Sequence, residues 1–155
     1  MDLPLEEIKS IRFKRRKIPI SPTMRPAYRI CQIILILHIS SVKQSASLLK
    51  LQLFNWCFQN DKRFSTLINL KETNNFPLIN FDPFLNRALN LGVSKGYFDF
   101  FATTGKYTLT IKGEELAVGI IKENILEEEI ILLNKLKKSL SDTYIQSSFK
   151  ERFST

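Results

Sequence analysis

The sequence contains few of the residues on which catalytic and metal sites depend. Its 155 residues include one histidine, His38, and two cysteines, Cys31 and Cys57. No acidic residue lies three or four positions from His38, so the partners that would orient and activate it are missing. There is no CxxC or HxxxH pair and no loop-spaced group of Asp residues, which argues against a metal site. We predict a structural histidine and two buried, reduced thiols.

Glycine is scarce as well, and the glycines are scattered. A phosphate-binding loop needs several of them close together, so that backbone N–H groups can reach the phosphate. The five in this chain are Gly92, Gly96, Gly105, Gly113 and Gly119. The acidic triplet at residues 127–129 is interpreted as a solvated helix face, because neighbours in a helix point in different directions. We therefore expect no catalytic residue, no cofactor and no enzymatic activity.

Long hydrophobic runs are absent too. The longest, residues 30–39, is interrupted by Gln32 and His38 and falls short of the ~20 residues that a membrane span needs. The first ten residues include Asp2, Glu6 and Glu7, and no apolar core of a secretory signal follows them. We expect a soluble, cytoplasmic protein without a membrane partner.

What the chain does have is positive charge, concentrated near its start. The formal net charge is +8, and residues 1–30 carry eight basic and three acidic side chains. The candidate nucleic-acid contacts are Lys9, Arg12, Lys14, Arg15, Arg16 and Lys17. Two interpretations of this arm, residues 1–24, remain open: it contacts DNA phosphates, or it is a solvated basic terminus.

The clearest structural pattern is a helix followed by a two-stranded hairpin. Asp82-Pro83 is a helix start and Gly96 a helix stop, so a helix is predicted from residue 83 to about 95. Residues 97–101 and 106–110 read as antiparallel strands joined by Thr104-Gly105, and a further helix follows. This order predicts a mainly α fold with a small β-wing (α+β), a winged helix-turn-helix over residues 25–113.

The remaining segments complete the predicted architecture. An apolar helix over residues 25–40 should be central to the core, and a second helix should begin near Ser45 or Ser47 and run to about residue 59. Residues 71–76 are predicted to form a polar loop, and residues 78–81 a short strand that pairs with the wing. One long helical extension is expected over residues 114–140, followed by a frayed tail at 141–155.

Two apolar surfaces suggest protein contacts. On the helix from Phe84 to Lys95, the positions predicted to face inward are Leu85, Ala88, Leu89 and Gly92. Asn86, Arg87, Asn90, Ser94 and Lys95 are expected to face outward. Because Phe84 and Leu91 also lie near the outward side, this face suits a protein better than a DNA groove. The apolar stripe along the extension is expected to be longer than the fold can cover by itself. From these two surfaces, the candidate partner contacts are Phe84, Arg87, Leu91, Ile125, Ile130, Leu133 and Leu136.

Four stretches of the chain, in order, resemble a known family. They are residues 25–30 (RPAYRI), 53–56 (LFNW), 81–89 (FDPFLNRAL) and 109–113 (LTIKG). This series is similar to the middle component of bacterial ABC-three-component systems, which include the small accessory subunit of Lamassu-type antiviral defence. The chain departs from the pattern at Gly92, where a small helix former such as Ala is expected, and in its pronounced basic arm.

The resemblance implies a non-catalytic winged-helix subunit that bridges two partners. These would be an SMC-like ABC ATPase that senses DNA and an effector, often a nuclease, with double-stranded DNA contacted through the complex. The main alternative is a winged-helix transcriptional regulator that binds DNA by itself. A third possibility is a kleisin-binding subunit of a chromosome-organising complex, which would share the bridging role but not defence.

Overall fold

The computed structural model describes residues 26–153, which form a mainly helical chain with one small sheet. In chain order the elements are α1 Pro26–Ile39, β1 Ser45–Ser47, α2 Leu48–Phe58, α3 Phe64–Ile68, α4 Leu70–Thr73, α5 Pro83–Ser94, β2 Phe98–Phe101, β3 Lys106–Leu109, α6 Ile111–Glu123, α7 Glu127–Leu136 and α8 Asp142–Phe153. The predicted α+β class is confirmed. The predicted basic arm, with its six candidate DNA contacts, lies outside the described residues.

Helix α1 occupies the centre of the core, as predicted. Every residue from Ala27 to Leu37 is buried, because the helix is apolar on nearly all sides. Helices α2, α5, α6 and α7 and strand β3 all pack against it. Helix α2 starts where Ser47 caps it, its hydroxyl accepting a hydrogen bond from the Lys50 N–H, which agrees with one of the two predicted starts.

The hairpin forms as predicted, but its third strand is a different segment. Strands β2 and β3 pair antiparallel with Phe98 opposite Leu109, and Gly96 and Gly105 adopt the left-handed backbone (φ 80° and 70°) that helix ends and turns require. The predicted strand at residues 78–81 is wrong, because β3 pairs instead with β1, giving the sheet order β1-β3-β2. A short Ser-Ala-Ser strand carries little β-propensity of its own, and a tertiary pairing fixes it.

The predicted single helix over residues 114–140 is divided in two. Asn124 adopts a left-handed conformation (φ 54°) and ends α6, and the chain restarts as α7. Asparagine tolerates this backbone better than most residues, so it can stop a helix much as glycine does. The acidic triplet is then only partly solvated, since Glu129 is buried and accepts hydrogen bonds from the Tyr28 hydroxyl (3.0 Å) and the Gln32 amide (2.9 Å).

Residues 142–153 form α8, so the prediction of fraying from Ser141 is wrong. The Ser141 hydroxyl accepts a hydrogen bond from the Tyr144 N–H and caps the helix, and Ile145 is fully buried. The rings of Phe149 and Phe153 contact Phe76 edge-on at 5.4 and 6.3 Å. The predicted polar loop at residues 71–76 is also wrong in part. Residues 71–73 belong to α4, and Phe76 is buried in the core.

The structure explains why glycine stands at position 92 and generates a first prediction. A Cβ there would overlap the ring of the buried Phe98, whereas a Cβ at Gly119, in α6, would meet nothing within 4 Å. Gly92→Ala should therefore destabilise the protein by roughly 1–3 kcal/mol, although alanine favours helices. The matched change Gly119→Ala should stabilise it by roughly 0.5–1 kcal/mol. Chemical denaturation measures both changes, and a stabilised Gly92→Ala variant would contradict this packing.

Candidate functional site

Three of the four stretches that carry the family resemblance meet at one buried ion pair. Arg29 on α1 places Nη1 2.6 Å from Asp82 Oδ2 and donates from the same nitrogen to Asn55 Oδ1 on α2 at 2.7 Å. The Asn55 amide in turn donates to Asp82 Oδ2 at 3.2 Å. The Arg29 side chain is buried, at 5% exposed, and the Asp82 side chain is partly buried, at 15%.

The same network fixes the start of α5. Asp82 Oδ1 accepts the Phe84 N–H at 2.9 Å as the helix cap, and the Asp82 N–H donates to Gln52 Oε1 at 2.9 Å. Gln59 donates to Asp82 Oδ2 at 3.1 Å. Gln52 and Gln59 were not predicted as site residues, although a glutamine within the apolar pattern of α2 indicates a polar contact inside the core.

The network keeps Asp82 ionised. Burial raises the pKa of Asp82, but the Phe84 N–H, the Asn55 amide and the Arg29 guanidinium together outweigh burial and lower it below its usual value. The resulting stability is present above the ordinary pKa of an aspartate and is lost as the pH falls through the depressed folded-state pKa.

A shallow groove of about 460 Å³ opens beside the network. Its lining comprises Arg29, Trp56, Gln59 and residues 80–84. Phe81 and Phe84 are 49% and 40% exposed, which confirms that Phe84 faces outward. The Arg87 guanidinium lies 5.2 Å from the centre of the Phe84 ring, and that of Arg63 4.5 Å from the Trp56 ring. Of the other predicted contacts on α5, Arg87 is exposed and Leu91 is only partly so.

The predicted contacts beyond α5 are core residues. Ile125, Ile130, Leu133 and Leu136 are all at most 7% exposed. The break at Asn124 lets α7 turn its apolar stripe onto α1, so the expectation that another protein must cover this stripe is wrong. The apolar residue that α7 does expose is Ile131, which lines a groove with Phe64 and Ile68 of α3.

His38, Cys31 and Cys57, the residue types most often found in catalytic or metal sites, lie in surroundings typical of structural residues. His38 is half-buried, and its Nδ1 lies 3.1 Å from the Gln44 amide nitrogen. Cys31 and Cys57 are buried free thiols, as predicted, and burial raises the pKa of each to about 12. Within residues 26–153, no group of three His, Cys, Asp or Glu side chains is placed to hold a metal ion.

The ion pair generates the second prediction. Arg29→Met should lower the free energy of unfolding by about 3 kcal/mol at neutral pH, because Asp82 and Asn55 lose their buried partner. Arg87→Met, on the exposed side of α5, should change it by no more than about 0.5 kcal/mol. The difference between wild type and Arg29→Met should shrink as acid protonates Asp82. Urea denaturation at several pH values measures this, and equal effects of both variants would contradict a stabilising network.

The corrected position of the α7 stripe generates the third prediction. Leu133 is 0% and Ile131 50% exposed, although they lie two positions apart on one helix. Leu133→Asp should prevent stable folding, because the charge would be buried without a partner. Ile131→Asp should leave the melting temperature within a few degrees of wild type. Circular dichroism melts distinguish them, and a stably folded Leu133→Asp variant would show that this face is solvent-accessible.

Comparisons with known proteins give no family assignment. No family model, no curated protein and no solved structure matches the chain. Within the described part of the chain, no helix has both the length and the apolar character needed to cross a membrane.

Proposed function

We propose that this chain is a winged-helix, non-catalytic bridging subunit of a bacterial defence complex. Its partners would be an SMC-like ABC ATPase that senses DNA and an effector such as a nuclease. The subunit acts by binding proteins: one groove holds one partner, a second surface holds the other, and the rigid helical core fixes the distance between them.

The order of elements supports a winged helix. A helix, a short strand and three further helices precede α5, and the β2–β3 hairpin follows it. The first strand pairs with the last, so β3 is the central strand and β2 of the hairpin lies at the edge opposite β1. In this arrangement α5 occupies the position of the recognition helix and the hairpin that of the wing.

The observation that carries the proposal is the meeting of the family-like stretches beside an aromatic groove. Arg29, Asn55 and Asp82 come from three separate stretches and are hydrogen-bonded to one another. Asp82 also accepts the Phe84 N–H, and Trp56 follows Asn55 in α2, so both aromatic rim residues adjoin the network. Exposed aromatic side chains held by a rigid frame are typical centres of protein interfaces. The resemblance and the groove thus point to the same surface.

The groove favours a protein over DNA. Arg87 and Arg63 lie against aromatic rings of their own chain, an arrangement that flattens each guanidinium onto an apolar surface. A groove-reading helix would instead extend such cations toward phosphates and base edges. Aromatic and arginine side chains together are enriched at protein interfaces.

A bridging subunit also needs a second surface, and the groove between α3 and α7 supplies one. Its apolar lining includes Phe64, Ile68, Ile131 and Leu132, with Glu128 and Lys135 at its edge. None of these residues lines the aromatic groove. A charge placed in one groove should therefore release one partner and leave the other bound.

The fourth prediction tests the bridge by co-purification. The chain is co-expressed with the products of its neighbouring genes, which the proposal expects to be an ABC ATPase and an effector. Phe84→Asp and Phe81→Asp should each abolish recovery of one partner, because a buried aromatic anchor typically contributes about 2 kcal/mol or more to binding. Ile68→Asp should release the other partner. Asn90→Asp adds the same charge to an exposed position of α5 outside the groove and should leave recovery unchanged.

The outcomes separate the candidate functions. Full recovery of both partners by every variant would refute the proposed interfaces. Sequence-selective binding of duplex DNA by the isolated chain, with no recovery of an ATPase, would instead support a winged-helix regulator. Recovery of a kleisin in place of the effector would support a role in chromosome organisation.

A further inference from the structure

Lys50, near the start of α2, is a buried cation with few partners. Its side chain is among the largest that are fully buried, and the residue is 1% exposed. The ammonium donates to the Ser40 carbonyl oxygen at 2.6 Å and lies 5.6 Å from the centre of the Phe54 ring. Among the described residues, no carboxylate is within ion-pair distance of Lys50 Nζ. An ammonium has three N–H donors, so two remain for another acceptor.

Lys50 lines a pocket of about 510 Å³ that collects further donors. The lining residues are Val42, Lys43, Ser45, Lys50, Lys106, Thr108, Ser141, Asp142 and Thr143. They supply three amines and four hydroxyl groups from the sheet, from α2, from the turn before β1 and from the start of α8. Lys43 and Gln44 both have left-handed backbones (φ 54° and 56°), which is unfavourable for residues with a Cβ.

The one carboxylate in this lining is already engaged. Asp142 Oδ1 accepts the Ser47 N–H at 2.9 Å and the Ser47 hydroxyl at 2.8 Å, while Oδ2 lies 3.4 Å from Lys106 Nζ. One acid therefore serves three lysines, and the pocket keeps an excess of positive charge. Buried charge of this kind is costly unless something pairs with it.

We propose that this pocket binds a small tetrahedral oxyanion, the phosphate group of a small molecule or free phosphate. Lys50 is the innermost donor, Lys106 and Lys43 add charge, and the hydroxyls of Ser45 and Thr108 complete the shell. A tetrahedral oxyanion fits because its several acceptor oxygens can use amines and hydroxyls at once. The proposal is independent of the proposed bridging function, since the pocket shares no residue with either groove.

Lys50 also gives the site a pH signature. The pKa of Lys50 is lowered to about 8, chiefly by burial, with Asp142 opposing this shift and Lys106 adding to it. Lys43, at the rim, is the other charged residue of the pocket. The free protein therefore loses a positive charge as the pH rises through this value, and an anion that binds the charged form should bind more weakly above it.

The test is calorimetric titration of the full chain with inorganic sulfate, whose charge is constant from about pH 7 to about pH 9, and with inorganic phosphate. We expect millimolar or tighter binding that Lys50→Met weakens roughly tenfold and Lys106→Gln roughly threefold. Lys62→Gln, an exposed cation outside the pocket, should change nothing. Asp142→Asn should strengthen binding, because it removes the one negative charge among the described lining residues while keeping the oxygen that accepts from Ser47.

The pH series and the controls decide the outcome. Affinity of wild type for sulfate should fall as the pH rises through about 8, and Lys50→Met should show no such fall. Absence of binding at tens of millimolar sulfate and phosphate, or equal weakening by Lys62→Gln and Lys106→Gln, would overturn the proposal. If Lys50→Met fails to fold by circular dichroism, Lys106→Gln and Asp142→Asn still decide it, through effects of opposite sign.

Discussion

A helix that is apolar on nearly all sides must be surrounded, and this requirement on α1 organises the rest of the chain. Eleven consecutive residues of α1 are buried, and its sides are taken by α2, α5, α6, α7 and β3. One sheet face and one neighbouring helix could not cover such a surface. The break at Asn124 allows α7 to pack on α1 beside α6. The left-handed backbone of one residue therefore completes the burial of α1.

Apolar packing alone would leave the angles between these helices poorly defined, and buried polar groups define them. Arg29, Gln32, Asn55 and Glu129 are buried, and each bonds a partner on another element. A buried polar group without a partner destabilises the fold by more free energy than a well-made hydrogen bond contributes. Any shift of the helices that separates these pairs is therefore unfavourable. Lys50 differs in this respect: its protein partners satisfy only part of its donors, as expected of a group that meets a ligand.

The sequence predicted the features that depend on neighbours in the chain. Asp82 as a cap, Gly96 as a stop, the Gly105 turn and the apolar α1 all rest on residues within one turn of each other. It failed where distant contacts decide: β1 is a strand only because β3 lies beside it, and α8 is held by Phe76. Asn124 is a local indication of a helix end, but the apolar residues continue at helical spacing on both sides of it and so predict one unbroken helix.

In the candidate site, too, the sequence predicted what depends on neighbouring residues and not what depends on distant contacts. Exposure of Phe84 followed from helix geometry, whereas an apolar stripe on α7 could not reveal whether this chain or another protein covers it. Helix α2 makes the distinction concrete, because Lys50 and Asn55 are five positions apart and so point about 140° away from each other. One side of α2 therefore faces the aromatic groove and the other the cationic pocket. The two sites share a rigid helix but no side chain. A substitution in one site should therefore leave binding at the other unchanged.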